Sequence, residues 1–120
     1  MRNDRENLSE RLLDFGARVI RQAEKIDRTT TGRHIANQLV RSATSSGANY
    51  QEACAAESRA DFVHKMQVVL KELRESLYWL RLIEKLGSNL ATGLGPLLTE
   101  ADELVSIFTK SVITAKSQRK

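Results

Sequence analysis

Residues 59–86 read RADFVHKMQVVLKELRESLYWLRLIEKL and contain neither proline nor glycine. Apolar side chains recur in this segment at spacings of three or four residues, which is the period of one face of an α-helix. They are Phe62, Met66, Val69, Leu73, Leu77 and Leu80. Ser58 directly precedes the segment, and Asp61 lies three residues after Ser58, as in a helix N-terminal cap. The pattern predicts a long helix over about 59–86.

Three further segments have the same period and predict helices over about 4–26, 33–53 and 97–116. Their apolar faces are Leu8, Leu12, Phe15, Val19 and Ile26; Ile35, Leu39, Ala43, Ser46, Tyr50 and Ala53; and Leu97, Ala101, Leu104, Val105, Phe108 and Val112. Many residues of the second face are small, which predicts that this helix packs closely on a neighbour. Pro96 suits the first turn of the last helix.

The composition agrees with this pattern. The chain has 120 residues, enough for one domain over 1–120, and 41% of them are hydrophobic while 28% are charged. There is one proline, and aromatic residues amount to 5%, which argues against a β-sandwich or barrel. Four helices of similar length joined by short loops predict an all-α, antiparallel up-down four-helix bundle.

Several classes of protein are disfavoured. Cys54 is the one cysteine, so neither an internal disulfide nor a cysteine-cluster zinc site is expected. His34 and His64 lack metal-binding spacing, and no phosphate-binding loop or nucleophile motif occurs. We therefore expect no enzyme activity, catalytic residue, metal or cofactor. No apolar run approaches the roughly 20 residues that span a bilayer, and no signal-peptide pattern is present, so a cytoplasmic protein is expected.

Two apolar sets fall outside the predicted core faces. They are Leu13 and Ile20 in the first helix, and Val68, Trp79, Leu82 and Leu86 in the third. One interpretation is a wide core arc with ordinary surface apolar residues. The other is contact between subunits, which we favour because a single tryptophan away from the core is typical of an interface anchor. The apolar set of the third helix, together with Leu13 and Ile20, therefore predicts a homo-oligomer.

Two polar stripes each leave two interpretations open. The second helix carries Gln38, Arg41, Ser45, Asn49 and Glu52 on one face. These side chains form either a hydrogen-bonded seam or an anion or nucleic-acid site around Arg41. The first helix carries Arg11, Arg18, Arg21, Lys25 and Arg28. These cations form either a solvated charged face or a contact surface for a phosphate backbone, together with the terminal Lys116, Arg119 and Lys120.

Residues 38–83 resemble the core of the 23S rRNA intervening-sequence protein family, also called the S23 family. The matching positions are Gln38, Leu39 and Arg41; Ser45, Asn49 and Glu52; Ser58, Asp61 and Phe62; and Leu70, Glu72 and Leu77. The chain departs from the family pattern at Tyr50, where Ile or Val is frequent, and at Ala53, where Gly is frequent. It also lacks the tryptophan that often precedes a helix in the N-terminal segment.

The resemblance implies a bacterial four-helix bundle that forms ring-shaped homopentamers and has no established catalytic residues. A distant relative is the accessory protein of diversity-generating retroelements, which associates with a reverse transcriptase and nucleic acid. We therefore expect a non-enzymatic, ring-like homo-oligomer that binds RNA or DNA through basic surfaces. The alternative is a structural or adaptor oligomer that binds another, unidentified protein without nucleic acid.

Overall fold

The structure is a computed structural model that describes residues 3–26, 28–87 and 93–118. It contains four helices: α1 (Asp4–Ala23), α2 (Thr30–Cys54), α3 (Arg59–Leu86) and α4 (Leu94–Ser117). The predicted all-α, antiparallel four-helix bundle is confirmed. The α2–α3 contact is the most extensive, α1 packs on α2, α4 packs on α3, and the direct α1–α4 contact is the smallest of the four.

The core consists mostly of the apolar faces that the periodicity predicts, but four predicted members are only half-buried at its edge: Leu8, Phe62, Leu77 and Val105. All six predicted residues of the α2 face are buried, and Phe15 and Phe108 are fully enclosed between the helices. On α3 the buried face is wider than predicted, because Val63 and Ile83 are also enclosed. Both lie at the margin of the 3.6-residue stripe, where the sequence pattern alone does not separate core from surface.

Three of the four helices have ends that differ from the sequence prediction. α1 ends at Ala23, not at 26, because the amides of Lys25 and Ile26 bond three residues back, to the Gln22 and Ala23 carbonyls, and form a tighter turn. That turn still brings Ile26 into the core. α2 begins at Thr30 because the Thr29 hydroxyl accepts the amide hydrogen of Gly32 at 3.0 Å.

α4 begins at Leu94, after Gly93 in the left-handed conformation with φ of 77°. Pro96 is therefore the third helical residue, where its missing N–H costs no intrahelical bond. The ends of α3 agree with the sequence prediction. The Ser58 hydroxyl accepts the amide hydrogen of Asp61 at 3.1 Å, and Gly87 follows the last turn with φ of 71°.

α1 and α2 lie close together where Gly16 and Gly47 face the neighbouring helix. A β-carbon added at Gly47 would lie 3.7 Å from the Leu12 β-carbon, which is an ordinary contact distance. A β-carbon added at Gly16 would lie 3.9 Å from the Thr44 methyl group. The approach is close enough that larger side chains would separate the helices, but it leaves room for one methyl group.

Replacing Gly47 by alanine should therefore stabilise the protein. The added methyl group fits, and alanine lowers the conformational entropy that a mid-helix glycine loses on folding, so a gain of about 0.5–1 kcal/mol is expected. Urea denaturation followed by circular dichroism measures the change. A clear loss of stability would mean that the α1–α2 contact is tighter than these distances indicate.

Candidate interaction surfaces

An apolar groove runs along the outer side of the α1–α2 contact. Its most exposed apolar side chains are Leu13, at 66% exposure, and Ile20, at 42%. The groove encloses about 670 Å³. Small and apolar residues make up much of the rest of its lining, and polar and acidic residues complete it: Leu12, Gly16, Ala17, Thr44, Gly47 and Ala48, with Ser9, Glu10, Asp14 and Gln51. It offers a mostly apolar surface into which side chains of a second molecule could pack.

The second apolar set lies along α3 and is only partly exposed. Trp79 and Leu82 are half-buried and pack against the core, and Val68 is half-buried as well. The Trp79 indole N–H donates to Glu75 Oε2 at 3.2 Å, and its ring meets His34 of α2 edge-on at 5.8 Å. Trp79 is thus held within its own chain, and Leu86, at 54% exposure, is the freest member of the set.

The polar stripe of α2 faces α3 around Arg41. The Arg41 guanidinium donates to Glu72 Oε1 at 3.3 Å, to Gln38 Oε1 at 3.2 Å and to the Glu75 carboxylate. The hydrogen bond between Arg41 and Glu75 is the main reason why the pKa of Arg41 is raised. The same hydrogen bond is the main reason why the pKa of Glu75 is lowered. Arg41 is therefore engaged by two carboxylates of its own chain and is not open to an external anion in this arrangement.

The rest of the stripe also finds partners inside the chain. Asn49 Nδ2 donates to the Ser45 carbonyl at 2.9 Å, and Glu52 accepts from Lys65 of α3 at 3.1 Å. Beside the stripe, the hydroxyl groups of Ser42 and Ser76 bond each other at 2.8 Å and are fully buried. The geometry is that of a hydrogen-bonded seam between α2 and α3.

The basic stripe of α1 divides into one paired residue and four others. Arg11 donates to Glu100 at 2.7 and 3.1 Å and to Glu103 at 3.2 Å, so it ties α1 to α4. The Glu100 hydrogen bond is the main reason why the pKa of Arg11 is raised. Arg11 thus serves the fold in this structure, whereas one of the two interpretations of the sequence placed it on a contact surface for a phosphate backbone.

The other four cations of the α1 basic stripe are more accessible to a partner than Arg11 is. Arg18 is half-buried and the remaining three are exposed: Arg21, Lys25 and Arg28. Over residues 3–26, 28–87 and 93–118, none of these four makes an ion pair within 4 Å. Lys25, which the sequence prediction placed inside the first helix, lies beyond the end of α1, as does Arg28, so the helical part of the stripe is shorter than predicted. Lys116 is exposed in the last turn of α4, and Arg119 and Lys120 lie outside the described residues.

The titratable side chains outside the polar stripes are dispersed over the bundle. Tyr50 is buried edge-on to Phe108 at 5.4 Å, and burial, aided by Cys54, raises the pKa of Tyr50 to about 12. His64 is exposed on α3. In the part of the chain that the structure describes, no three His, Cys, Asp or Glu residues are grouped to hold a metal ion. No helix there is long and apolar enough to cross a bilayer.

Comparison with known proteins decides the family. The family model described as 23S rRNA-intervening sequence protein matches residues 8–110. This chain belongs to that family. A crystal structure of an S23 ribosomal protein family member from Bacteroides thetaiotaomicron, described as of unknown function, is 27% identical with a TM-score of 0.80. The match covers 90% of this chain and 96% of the other. Among curated proteins, none matches.

The match spans most of the bundle of this 23S rRNA-intervening sequence protein family member. It includes the groove, the α2–α3 seam and all of α3. Because the protein in that crystal structure is itself described as of unknown function, the likeness establishes the fold and the family. What the surfaces bind has to be argued from their own chemistry.

Replacing Arg41 by glutamine should destabilise the bundle at neutral pH. The Glu72 carboxylate is buried, with 8% of the residue exposed, and it would lose its charged partner. Leaving a buried acceptor poorly satisfied costs about 1–3 kcal/mol. Urea denaturation at pH 7 measures the loss, with Arg21→Gln as the matched control on an exposed arginine that has no ion pair among the described residues.

The same variant should also change the acid dependence of stability. Because the pKa of Glu75 is lower in the folded than in the unfolded protein, its ion pair contributes fully above the unfolded value of 4.5. That contribution disappears as the pH falls through the folded pKa. The free energy of unfolding of the wild type should thus fall more steeply below pH 4.5 than that of Arg41→Gln. Parallel curves for the two proteins would contradict the assigned pair.

Proposed function

We propose that this family member is a non-enzymatic protein of the bacterial cytoplasm that self-assembles into a ring-like homo-oligomer and binds RNA or DNA through basic surfaces. A pentamer is the assembly that the family resemblance implies. The observation that carries the proposal is the apolar α1–α2 groove, which leaves Leu13 and Ile20 exposed on a single chain. A patch of this kind on a small protein is typical of a surface that another molecule covers.

The position of the apolar patches favours a ring over a closed dimer. The groove lies on α1 and α2, whereas Leu86 and the half-buried Leu82 lie on α3. If the α3 patch of each subunit packs into the groove of the next subunit, the contact is head to tail. Such a contact generates a closed ring when the rotation between subunits allows it. The glycines and alanines of the groove admit side chains from a neighbour.

The charge of the chain supports a polyanionic partner. The net charge is +4, and Arg18, Arg21 and Lys25 have no ion pair among the described residues. One subunit of this charge would bind nucleic acid weakly. A ring repeats the same cations in each subunit, so several contacts with one strand add up through avidity.

A second candidate function is a protein adaptor. The groove is apolar rather than basic, and a groove between two helices can accept an amphipathic helix from another protein. In that case the groove would hold the partner and nucleic acid would not bind. The two candidates differ in whether the groove is filled by another copy of the chain.

The oligomer is tested by replacing Leu13 and Ile20 together with glutamine. Both are exposed on the single chain, so the fold should tolerate the change while the subunit contact is lost. Sedimentation velocity should show an oligomer for the wild type and a shift towards monomer for the variant. Ile113→Gln, at a position 64% exposed on α4, is the matched control and should leave the oligomer intact. A monomeric wild type at tens of micromolar would refute assembly.

Nucleic-acid binding is tested by fluorescence anisotropy with two unrelated RNAs at two salt concentrations. Binding should fall steeply with salt, because counterions released from the phosphates drive it, and should be similar for both sequences. The wild type should also copurify with nucleic acid, seen in its ultraviolet absorbance. Failure to bind either RNA at low salt would favour the adaptor function, and a strong preference for one RNA would contradict an electrostatic mechanism.

A further inference from the structure

α3 carries a second basic surface, on the side of the helix away from the core. Its members recur at spacings of three and four residues and are all exposed. We name them the α3 outer stripe: Lys71, Arg74, Tyr78, Arg81 and Lys85. The preceding positions of the same register are His64 and Gln67, so no acidic residue interrupts it. The stripe thus combines four cations with one aromatic ring in its centre.

Tyr78 is placed for contact with a flat ligand. Its side chain is 58% exposed, and its ring meets that of Trp79 at 5.1 Å with an interplanar angle of 76°. A shallow pocket on this face is lined by Tyr78, Arg74, Arg81, Leu77 and Val105. An exposed ring supported by a second ring and flanked by two guanidinium groups suits a nucleobase with phosphates on either side.

The cations of the stripe are available. Over the described ranges 3–26, 28–87 and 93–118, none of the four makes an ion pair within 4 Å. Lys71 acts electrostatically on Glu75, but that carboxylate already accepts from Arg41 and Trp79. The basic face of α1 differs, because Arg11 is paired with glutamates, whereas Glu84, three residues after Arg81, makes no ion pair within 4 Å among the described residues.

The length of the stripe suits a strand of nucleic acid. From Lys71 to Lys85 the helix rises by about 21 Å, at about 1.5 Å per residue. At about 3.4 Å per stacked nucleotide this corresponds to roughly six nucleotides of one strand. A duplex keeps its base faces stacked inside, so only an unpaired base can use the exposed ring of Tyr78.

We infer that the α3 outer stripe is a binding site for single-stranded RNA or DNA. A base stacks on Tyr78, and Arg74 and Arg81 contact the flanking phosphates. The inference rests on the proposed nucleic-acid function and assigns it to α3, away from the α1 stripe that the sequence pattern indicated. Because stacking tolerates any base, the site discriminates single strands from duplexes rather than one sequence from another.

The test compares two double variants that remove the same charge. Arg74→Gln with Arg81→Gln changes α3, and Arg18→Gln with Arg21→Gln changes α1. The α3 variant should bind a labelled single-stranded oligonucleotide at least about tenfold more weakly in anisotropy, with the salt slope reduced by about 1.4, since each single-strand phosphate contributes about 0.7. The α1 variant should lose clearly less affinity than the α3 variant, because Arg18 and Arg21 add long-range attraction without the direct contacts of the stripe.

Tyr78 is tested separately. Tyr78→Ala should weaken binding of the single strand by about tenfold and leave binding of a duplex of the same length unchanged, whereas Tyr78→Phe, which keeps the ring, should bind like the wild type. Trp79 is the one tryptophan, and its contact with Tyr78 makes its fluorescence a second readout. Its emission should change when the single strand binds to the wild type and to Tyr78→Phe.

The outcomes separate the two proposals. If the wild type binds neither single strands nor duplexes, the proposed nucleic-acid function fails and the α3 site fails with it. If the wild type binds but the α1 variant loses more affinity than the α3 variant, or Tyr78→Ala binds like the wild type, only the α3 site is overturned. Binding to anionic lipid vesicles without binding to oligonucleotides would also overturn it. Circular dichroism and sedimentation must show that every variant remains folded and assembled as the wild type.

Discussion

The contact between α2 and α3 positions every other element of this bundle. α1 packs on α2 and α4 packs on α3, while α1 and α4 barely meet, so the outer helices take their places from the central pair. Small buried side chains of α2, such as Ala43 and Ser46, allow the close approach. The Ser42–Ser76 hydrogen bond and the pairing of Arg41 with two glutamates then fix the register of the two helices.

The periodic parts of the fold could be predicted from the sequence, because burial of one helix face leaves a direct imprint on residue order. The helix cap at Ser58 could also be predicted, because it involves only Ser58 and Asp61, which are neighbours in the sequence. The earlier start of α4 was harder, because it depends on the left-handed conformation of Gly93. The roles of Arg11 and Trp79 could not be predicted, since each depends on a side chain from another helix: Glu100 of α4 and His34 of α2.

The α3 outer stripe was missed for a different reason. The many apolar residues of α3 dominate its sequence pattern, and Tyr78 lies directly beside Trp79. The spacing of Lys71, Arg74, Arg81 and Lys85 around Tyr78 is nevertheless a sequence signal. It is as regular as that of the α1 cations. The sequence does not show which cations have carboxylate partners in the fold. Among the described residues Arg11 has two such partners and Arg74 has none.

Of the two patches in the proposed subunit contact, the groove lies apart from the basic surface, whereas Leu82 and Leu86 share α3 with it. The apolar groove belongs to α1 and α2, whereas the α3 outer stripe borders α4 at Val105. A neighbouring subunit seated in the groove would cover α1 and α2 and leave the α3 stripe of the receiving chain uncovered, provided that contact through Leu82 and Leu86 stays on their side of α3. Each added subunit then contributes four more cations and one more exposed ring, so affinity for a long strand rises with the number of subunits. A weakly charged chain can in this way hold a polyanion without a highly basic tail or domain.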